Sequence, residues 1–169
     1  MTEPAFEVID GGLLTTVQDA GRPAWTHLGV PESGAADPWS LAVANLLVGN
    51  ETGAAVLEMT VTGPTLVARS AVTIGLAGAD LGARIEHGRP LRAGRSHRLA
   101  AGDRLTFGSE RGVGPANGIR GYLAVANLLV GNESGAAVLE MTVTGPTLVA
   151  RSAVTIGLAG ADLGARIEH

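Results

Sequence analysis

Three polar side chains near the start of the chain are of types that suit the binding of an anion. Gln18, Asp19 and Arg22 follow the apolar and β-branched run at residues 13–17. An arginine binds a carboxylate or phosphate through paired hydrogen bonds, and a nearby aspartate can orient it or act as a base. The alternative is an ordinary turn, in which Asp19 bonds its own backbone and Arg22 is solvated. Residue chemistry alone favours the turn.

A second candidate is the loop at residues 29–37, which is rich in small side chains and contains Ser33, Gly34 and Asp37. Backbone N–H groups in such a loop can approach a ligand closely, and the N-terminus of the helix that follows favours anions. The loop lacks the Gly-Lys-Ser/Thr element of a phosphate loop. It can equally be a tight connection in which Asp37 only caps the helix.

A third group consists of polar residues within or beside apolar stretches, namely Asn45, Asn50 and Glu58. A buried Glu58 would need a partner such as Arg22, because an unpaired buried charge is costly. Strand alternation could equally place Glu58 in water. Both interpretations stay open on sequence grounds.

Composition excludes several kinds of chemistry. The 12 basic residues are all arginine. Without lysine there is no Schiff base, no biotinyl-lysine and no phosphate-loop lysine, so another chain must contribute those groups if biotin or ATP takes part. The four histidines show no metal-ligand spacing, and we expect no metal site. A basic stretch at residues 84–104 is more typical of a solvated hairpin than of an anion-binding edge.

Charge and hydropathy bear on partners and location. The net charge of −4 gives no support for nucleic-acid binding. No apolar run approaches the roughly 18 residues of a membrane span. With no cysteine and no signal-peptide core, we expect a cytoplasmic protein without a membrane partner.

The elements that must position these residues are mostly short strands. Apolar runs recur about every ten residues between Gly, Pro and Asp turns, a pattern typical of a sandwich or barrel. Asp37-Pro38 predicts a helix start, with Asp as N-cap and Pro at the first helical position, and Gly49 can cap its end. We therefore predict a mainly β (α+β) fold with one or two short helices.

The chain also contains a copy of its own interior. Residues 41–87 recur as residues 123–169, and the one difference is Thr52 against Ser134. We therefore divide the chain into residues 1–126 and a duplicate at 127–169 that repeats 45–87. The octapeptide Leu-Ala-Val-Ala-Asn-Leu-Leu-Val occurs in both copies. Capping predicts a helix at 41–48, whereas the uncapped context predicts a strand at 123–126 and leaves 127–130 open.

Ordered motifs over residues 1–126 resemble the front half of the KipA family, which comprises the carboxyltransferase A/B region of urea carboxylase and the C component of bacterial 5-oxoprolinase. The motifs are residues 12–19, Gly21-Arg22, residues 29–31, residues 33–35, Asp37, Ala44-Asn45, residues 47–50, residues 77–81 and residues 121–126. Ala24 and Ala36 depart from the usual glycine and methionine. After Ala126 the family pattern gives way to the duplicate, so the resemblance implies a truncated, cyclophilin-like, β-rich barrel or sandwich.

The resemblance implies a role in ATP-linked chemistry on a small-molecule amide. In one interpretation, this chain with a KipI-like subunit and a third subunit opens 5-oxoproline to glutamate, and ATP is shared with the partner. In a second, it transfers a carboxyl group from biotin carried by another domain. In a third, it is a regulatory partner of a KipI-like kinase inhibitor. The candidate catalytic residues are Asp19 and Arg22. The candidate substrate-binding residues are Gln18, Ser33, Gly34, Asp37, Asn45 and Glu58, and all of these candidates except Glu58 lie in the matching motifs.

Overall fold

Two β-sheets form the part of the chain that the computed structural model describes, which comprises residues 5–108, 116–126, 141–143 and 149–150. One sheet consists of β1 (Phe6–Asp10), β4 (Thr65–Ala68), β6 (Arg84–Ile85), β8 (Arg104–Thr106) and β10 (Met141–Val143). Its strand order is β10-β1-β4-β8-β6. The other sheet consists of β2 (Leu14–Gln18), β3 (Val56–Thr60), β5 (Val72–Asp80), β7 (Arg95–Leu99), β9 (Ala116–Val125) and β11 (Val149–Ala150). Its strand order is β11-β2-β3-β9-β5-β7.

Alternating side chains of both sheets build the main core. Phe6, Val8 and Leu66 of the first sheet pack with apolar residues of the second sheet such as Leu57 and Ile74. This is the inward-facing alternation expected of two packed sheets. The predicted mainly β fold is therefore confirmed.

A single α-helix, α1 (Pro38–Leu46), covers the outer face of the second sheet in the described structure. Leu41 and Ala44 of the helix pack on Val56, Ala77 and Tyr122 of three strands. The Asp37 side chain accepts hydrogen bonds from the backbone N–H groups of Trp39 and Ser40, so the predicted N-cap is confirmed. A 3-10 helix at Pro23–Leu28 precedes the loop at residues 29–37.

The repeated octapeptide adopts two structures. Its first copy forms the body of α1 and continues into a turn after Leu46, whereas residues 123–125 of its second copy form the last part of β9. The prediction of a helix in one context and a strand in the other is confirmed for these residues. Residues 127–130 lie outside the described residues, as does most of the duplicate at 127–169. The described helices include none that is both long and apolar enough to cross a membrane.

Candidate functional site

The two loops predicted to carry the chemistry lie against each other. Asp19 is bound on both sides: its carboxylate accepts a hydrogen bond from the N–H of Gly21 at 2.8 Å, and its carbonyl accepts one from the N–H of Ala35 at 3.0 Å. The first contact is the turn that an aspartate makes with its own backbone two residues on. The second contact, from Ala35, holds the end of β2 against the loop that precedes α1.

Arg22 connects the same two loops through hydrogen bonds. Its Nε donates to the carbonyl of Pro31 at 3.1 Å, and its Nη2 donates to the hydroxyl of Ser33 at 3.3 Å. Its backbone N–H donates to the carbonyl of Glu32 at 2.8 Å. Arg22 is therefore neither simply solvated nor wholly free for an anion, because two of its guanidinium nitrogens bond the loop.

Glycine is required where the two loops meet. Gly21 and Gly34 have φ angles of +80° and +87°, in the left-handed region that favours glycine. A Cβ on Gly34 would lie 2.8 Å from the backbone N of Gly21, and one on Gly21 would lie 2.7 Å from the carbonyl oxygen of Glu32. Glycine at position 34 is thus required by a close contact between the two backbones, whether or not a ligand binds there.

Glu58 is the centre of a buried polar network. Its side chain is 5% exposed, and its Oε1 lies 2.6 Å from Nη1 of Arg120. Its Oε2 accepts hydrogen bonds from the N–H of Ala36 at 2.7 Å and from the hydroxyl of Tyr122 at 2.9 Å. The expectation that a buried Glu58 pairs with Arg22 is wrong. Arg22 lies on the loop, whereas Arg120 lies on β9, which neighbours β3 in the sheet.

Tyr122 connects this network to the start of α1. Its hydroxyl accepts a hydrogen bond from the N–H of Asp37 at 2.8 Å while donating to Glu58. Burial, reinforced by the hydrogen bond to Glu58, raises the pKa of Tyr122 well above its ordinary value. The hydrogen bond from the Ser40 hydroxyl is the main reason why the pKa of Asp37 is lowered. Asp37 therefore stays ionised as the cap of α1.

Several amide groups of the candidate loop are already in use. The N–H groups of Ala35, Ala36 and Asp37 donate to Asp19, Glu58 and Tyr122. The loop interpretation expected these N–H groups to face a ligand, but each of them donates to an acceptor within the protein. The N–H groups of Ser33 and Gly34 donate to none of these three acceptors.

Asn45 and Asn50 hold the loop after α1. The side chain of Asn45 is buried, and its Nδ2 donates to the carbonyl of Ala54 at 2.7 Å. Asn50 donates to the side chain of Asn45 at 3.1 Å and to the carbonyl of Val125 at 2.8 Å. Asn45 is thereby engaged within the protein and lies on the opposite end of α1 from Asp37.

Gln18 differs from the other candidates because one of its polar atoms has no partner. The residue is 6% exposed, and its Nε2 donates to the hydroxyl of Thr16 at 3.1 Å. Its Oε1 accepts no hydrogen bond in the described structure. A buried unpaired acceptor costs about 1–3 kcal/mol, so a donor from outside the described residues would bind there favourably.

The structure therefore brings most of the predicted residues to one end of the second sheet. Gln18, Asp19, Arg22, Ser33, Gly34 and Asp37 belong to β2 and the two loops, and Glu58 lies beneath them. Arg120 and Tyr122 were missed. Strand alternation places Arg120 and Tyr122 on the same face of β9, but only the pairing of β3 with β9 shows that this face meets Glu58. Among the described residues no group of three acidic or histidine side chains could hold a metal ion.

A protein-family model described as "carboxyltransferase domain, subdomain A and B" matches residues 28–127 and again residues 123–169. The chain belongs to this family. The second match coincides with the repeated segment, whose first copy lies inside the first match. The family thus accounts for both copies and for the candidate loop at residues 29–37.

Relatives of this carboxyltransferase A/B chain are parts of enzymes. It is 38% identical over 121 residues to the C component of the 5-oxoprolinase of Escherichia coli, covering 72% of this chain and 37% of that protein. It is 36% identical over 127 residues to the urea amidolyase of Lachancea kluyveri, covering 72% of this chain and 6% of that protein. The chain therefore spans well under half the length of these relatives.

Solved structures share the fold. The crystal structure of TTHA0988 superposes with a TM-score of 0.66 at 38% identity, covering 73% of this chain and 44% of that one. The urea carboxylase of Kluyveromyces lactis superposes with the same TM-score of 0.66 at 30% identity, covering 75% of this chain and 11% of that one.

Proposed function

We propose that this chain is part of a subunit of an ATP-dependent 5-oxoprolinase, which opens a cyclic amide to glutamate together with a KipI-like subunit and a third subunit. The observation that carries the proposal is the 38% identity to the C component of 5-oxoprolinase over 121 residues. That alignment covers 72% of this chain.

Within this proposal the unpaired oxygen of Gln18 accepts a hydrogen bond from the N–H of the lactam. Arg22 holds the substrate carboxylate through the guanidinium nitrogen that does not bond the loop, and Asp19 orients the loop. The supporting observations are the buried, partnerless Oε1 of Gln18 and the two bonds that fix the position of Arg22. Such fixed polar groups favour one orientation of a bound substrate.

ATP does not fit the residues of this chain by itself. The sequence contains no lysine and no phosphate-loop element, and the amides of residues 35–37 are engaged internally. A partner subunit would therefore hold the nucleotide. It follows that the chain alone should be inactive. Glutamate formed from ATP and 5-oxoproline by the purified chain without partners would contradict this.

The proposal is tested with a chimera, in which residues 1–126 replace the equivalent segment of the C component in the complete Escherichia coli enzyme. We expect ATP-dependent glutamate formation. In this chimera Arg22→Ala should lower kcat/KM by an order of magnitude or more. Arg69→Ala serves as the matched control, because Arg69 forms a surface ion pair with Glu7 on the other sheet. Equal kcat/KM in both variants would mean that Arg22 only connects the two loops. A folded but inactive chimera would overturn the proposal.

A second candidate function is biotin-dependent carboxyl transfer, as part of a urea carboxylase. The observations that favour it are the description of the matching family and the 36% identity to a urea amidolyase. Biotin would be carried by another domain, because this chain has no lysine to bear it. Transfer of a carboxyl group from carboxybiotin to urea, but no glutamate formation, by matched chimeras of both enzymes would favour this function over the first.

A further inference from the structure

A cleft separate from the candidate loops opens where α1 crosses the second sheet. It has a volume of about 390 Å³ and lies between Ser40 and Val43 of α1, Gly78 and Asp80 of β5, Gly94 and Asn117. Pockets for small ligands usually measure about 300–1,000 Å³. The cleft is therefore large enough for a small molecule.

The backbone around the cleft is irregular in a way that creates its space. The pairing of β5 with β9 shifts register between Gly78 and Asp80, where two steps along β5 face five steps along β9, an irregularity similar to a β-bulge. Gly78, Gly94 and Asn117 all have positive φ angles, of +76°, +77° and +62°. Bulges and left-handed residues other than glycine are frequent beside binding sites, where they redirect side chains.

Asp80 is the one charged residue among those that line the cleft, Ser40 adds a hydroxyl, and Asn117 adds an amide that can both donate and accept. One carboxylate oxygen of Asp80 accepts from the N–H of Gly82 at 3.0 Å, and Asp80 forms no ion pair within the described part of the chain. The hydroxyl of Ser40 donates its proton to ionised Asp37 at 2.5 Å, so its lone pairs are left to accept. The local charge is therefore negative, with a free carboxylate oxygen at Asp80.

The remaining side chains of the lining, apart from that of Asn117, are apolar and small. They belong to Val43, Ala77 and Ala93. An ammonium group could reach Asp80 and Ser40 while a short aliphatic stem contacts these apolar side chains. An anion would meet the charge of Asp80 instead.

We propose that this cleft binds a small primary aliphatic amine in its ammonium form, with Asp80 as the residue that binds the charge. The proposal is independent of the proposed function, because it involves neither Gln18 nor the loops around Arg22.

The test is saturation-transfer NMR on the full chain with three probes of equal length: n-butylammonium, 1-butanol and butyrate. This measurement observes the ligand and tolerates oligomers. We expect saturation of n-butylammonium at least five-fold stronger than that of either other probe, and we expect added salt to weaken it. Equal saturation of butylammonium and butanol would overturn the proposal without any variant.

Two variants locate the binding. Asp80→Asn keeps the oxygen that bonds Gly82 but removes the charge, and it should weaken binding of n-butylammonium at least five-fold. Ala93→Leu should also weaken it by filling the cleft. The matched control is Asp103→Asn, since Asp103 also bonds a nearby backbone N–H, that of Ala100, and does not line the cleft. Binding unchanged in folded Asp80→Asn, or reduced equally in Asp103→Asn, would contradict the assignment.

Discussion

The carboxylate of Glu58 accepts hydrogen bonds from three groups on β9 and on the loop before α1. Glu58→Gln would remove the charge that faces Arg120 and place an N–H₂ group where an acceptor is needed. We expect the free energy of unfolding to fall by about 2 kcal/mol, because a buried partner is left unsatisfied. Urea denaturation followed by circular dichroism measures this loss.

The matched control for this change is Glu86→Gln. Glu86 lies 3.4 Å from Arg104, and both side chains are well exposed, at 48% and 39%. Exposed ion pairs contribute about 0–1 kcal/mol, so this variant should unfold almost like the parent chain. Equal losses in the two variants would show that the buried network adds nothing beyond a surface pair.

Tyr122 makes stability depend on alkaline pH. Its folded-state pKa lies above the ordinary value of 10.0, so above that pH the unfolded chain loses a proton that the folded chain keeps. The stabilisation is complete below pH 10 and is lost as the pH rises towards the folded pKa, by about 1.4 kcal/mol per pH unit. Tyr122 is the one tyrosine, and the chain has no lysine or cysteine, so tyrosinate absorbance reports this group alone.

Tyr122→Phe checks the origin of that dependence. The variant removes the titrating group together with its hydrogen bonds to Glu58 and Asp37. Its stability should be lower at neutral pH and nearly constant between pH 9 and pH 12 (roughly the range below arginine titration). A slope as steep as that of the parent chain would assign the effect to another group.

The sequence was informative where a contact is local. The N-cap at Asp37 and the aspartate turn at Asp19 each involve residues two or three positions apart, so turn chemistry predicts them. The partner of Glu58 was beyond this reasoning, because Arg120 is 62 positions away and meets Glu58 only through the order of the strands. The orphan oxygen of Gln18 likewise appears only when its surroundings are known.

At the scale of elements, α1 rests directly on Gly75 of β5. A Cβ at this position would overlap the carbonyl oxygen of Ala44 and lie 3.1 Å from the Cβ of Leu47. Gly75→Ala must therefore displace the helix, and we expect a loss of about 1–3 kcal/mol in unfolding free energy. Differential scanning calorimetry measures it as a lower Tm. Gly53→Ala is the control, because its nearest contact is the Ala20 side chain at 3.2 Å, and an unchanged Tm in Gly75→Ala would mean that α1 is not held closely.

The octapeptide shows how flanking residues select an element. The first copy follows Asp37, whose carboxylate bonds the first turn of α1, and the second copy continues a strand that already pairs with β3 and β5. The helix propensity of this mixture of leucine, alanine, valine and asparagine is intermediate. Capping of about 1 kcal/mol and sheet pairing can therefore decide between helix and strand.

At the scale of the whole molecule, equivalent residues of the two copies occupy different strand positions. Residues 141–143 repeat residues 59–61, yet β10 lies parallel to β1, whereas Met59 and Thr60 in β3 lie antiparallel to β2. Residues 149–150 repeat residues 67–68, yet β11 lies beside β2, whereas β4 lies beside β1. Thus β10 pairs with β1, whereas its counterpart in the first copy pairs with β2. Likewise β11 pairs with β2, whereas its counterpart pairs with β1.

The near-identity of the two copies predicts association of the full chain. A β3 segment from one molecule and its equivalent from another fit the same neighbours, and near-identical repeats of this kind favour swapping and misassembly. We expect oligomers or aggregates in size-exclusion chromatography of residues 1–169. A chain of residues 1–126 lacks the competing copy and should elute with a larger monomer fraction. A sharp monomer peak and cooperative unfolding of the full chain would contradict the prediction, since the second copy would then have a single preferred place beside β1 and β2.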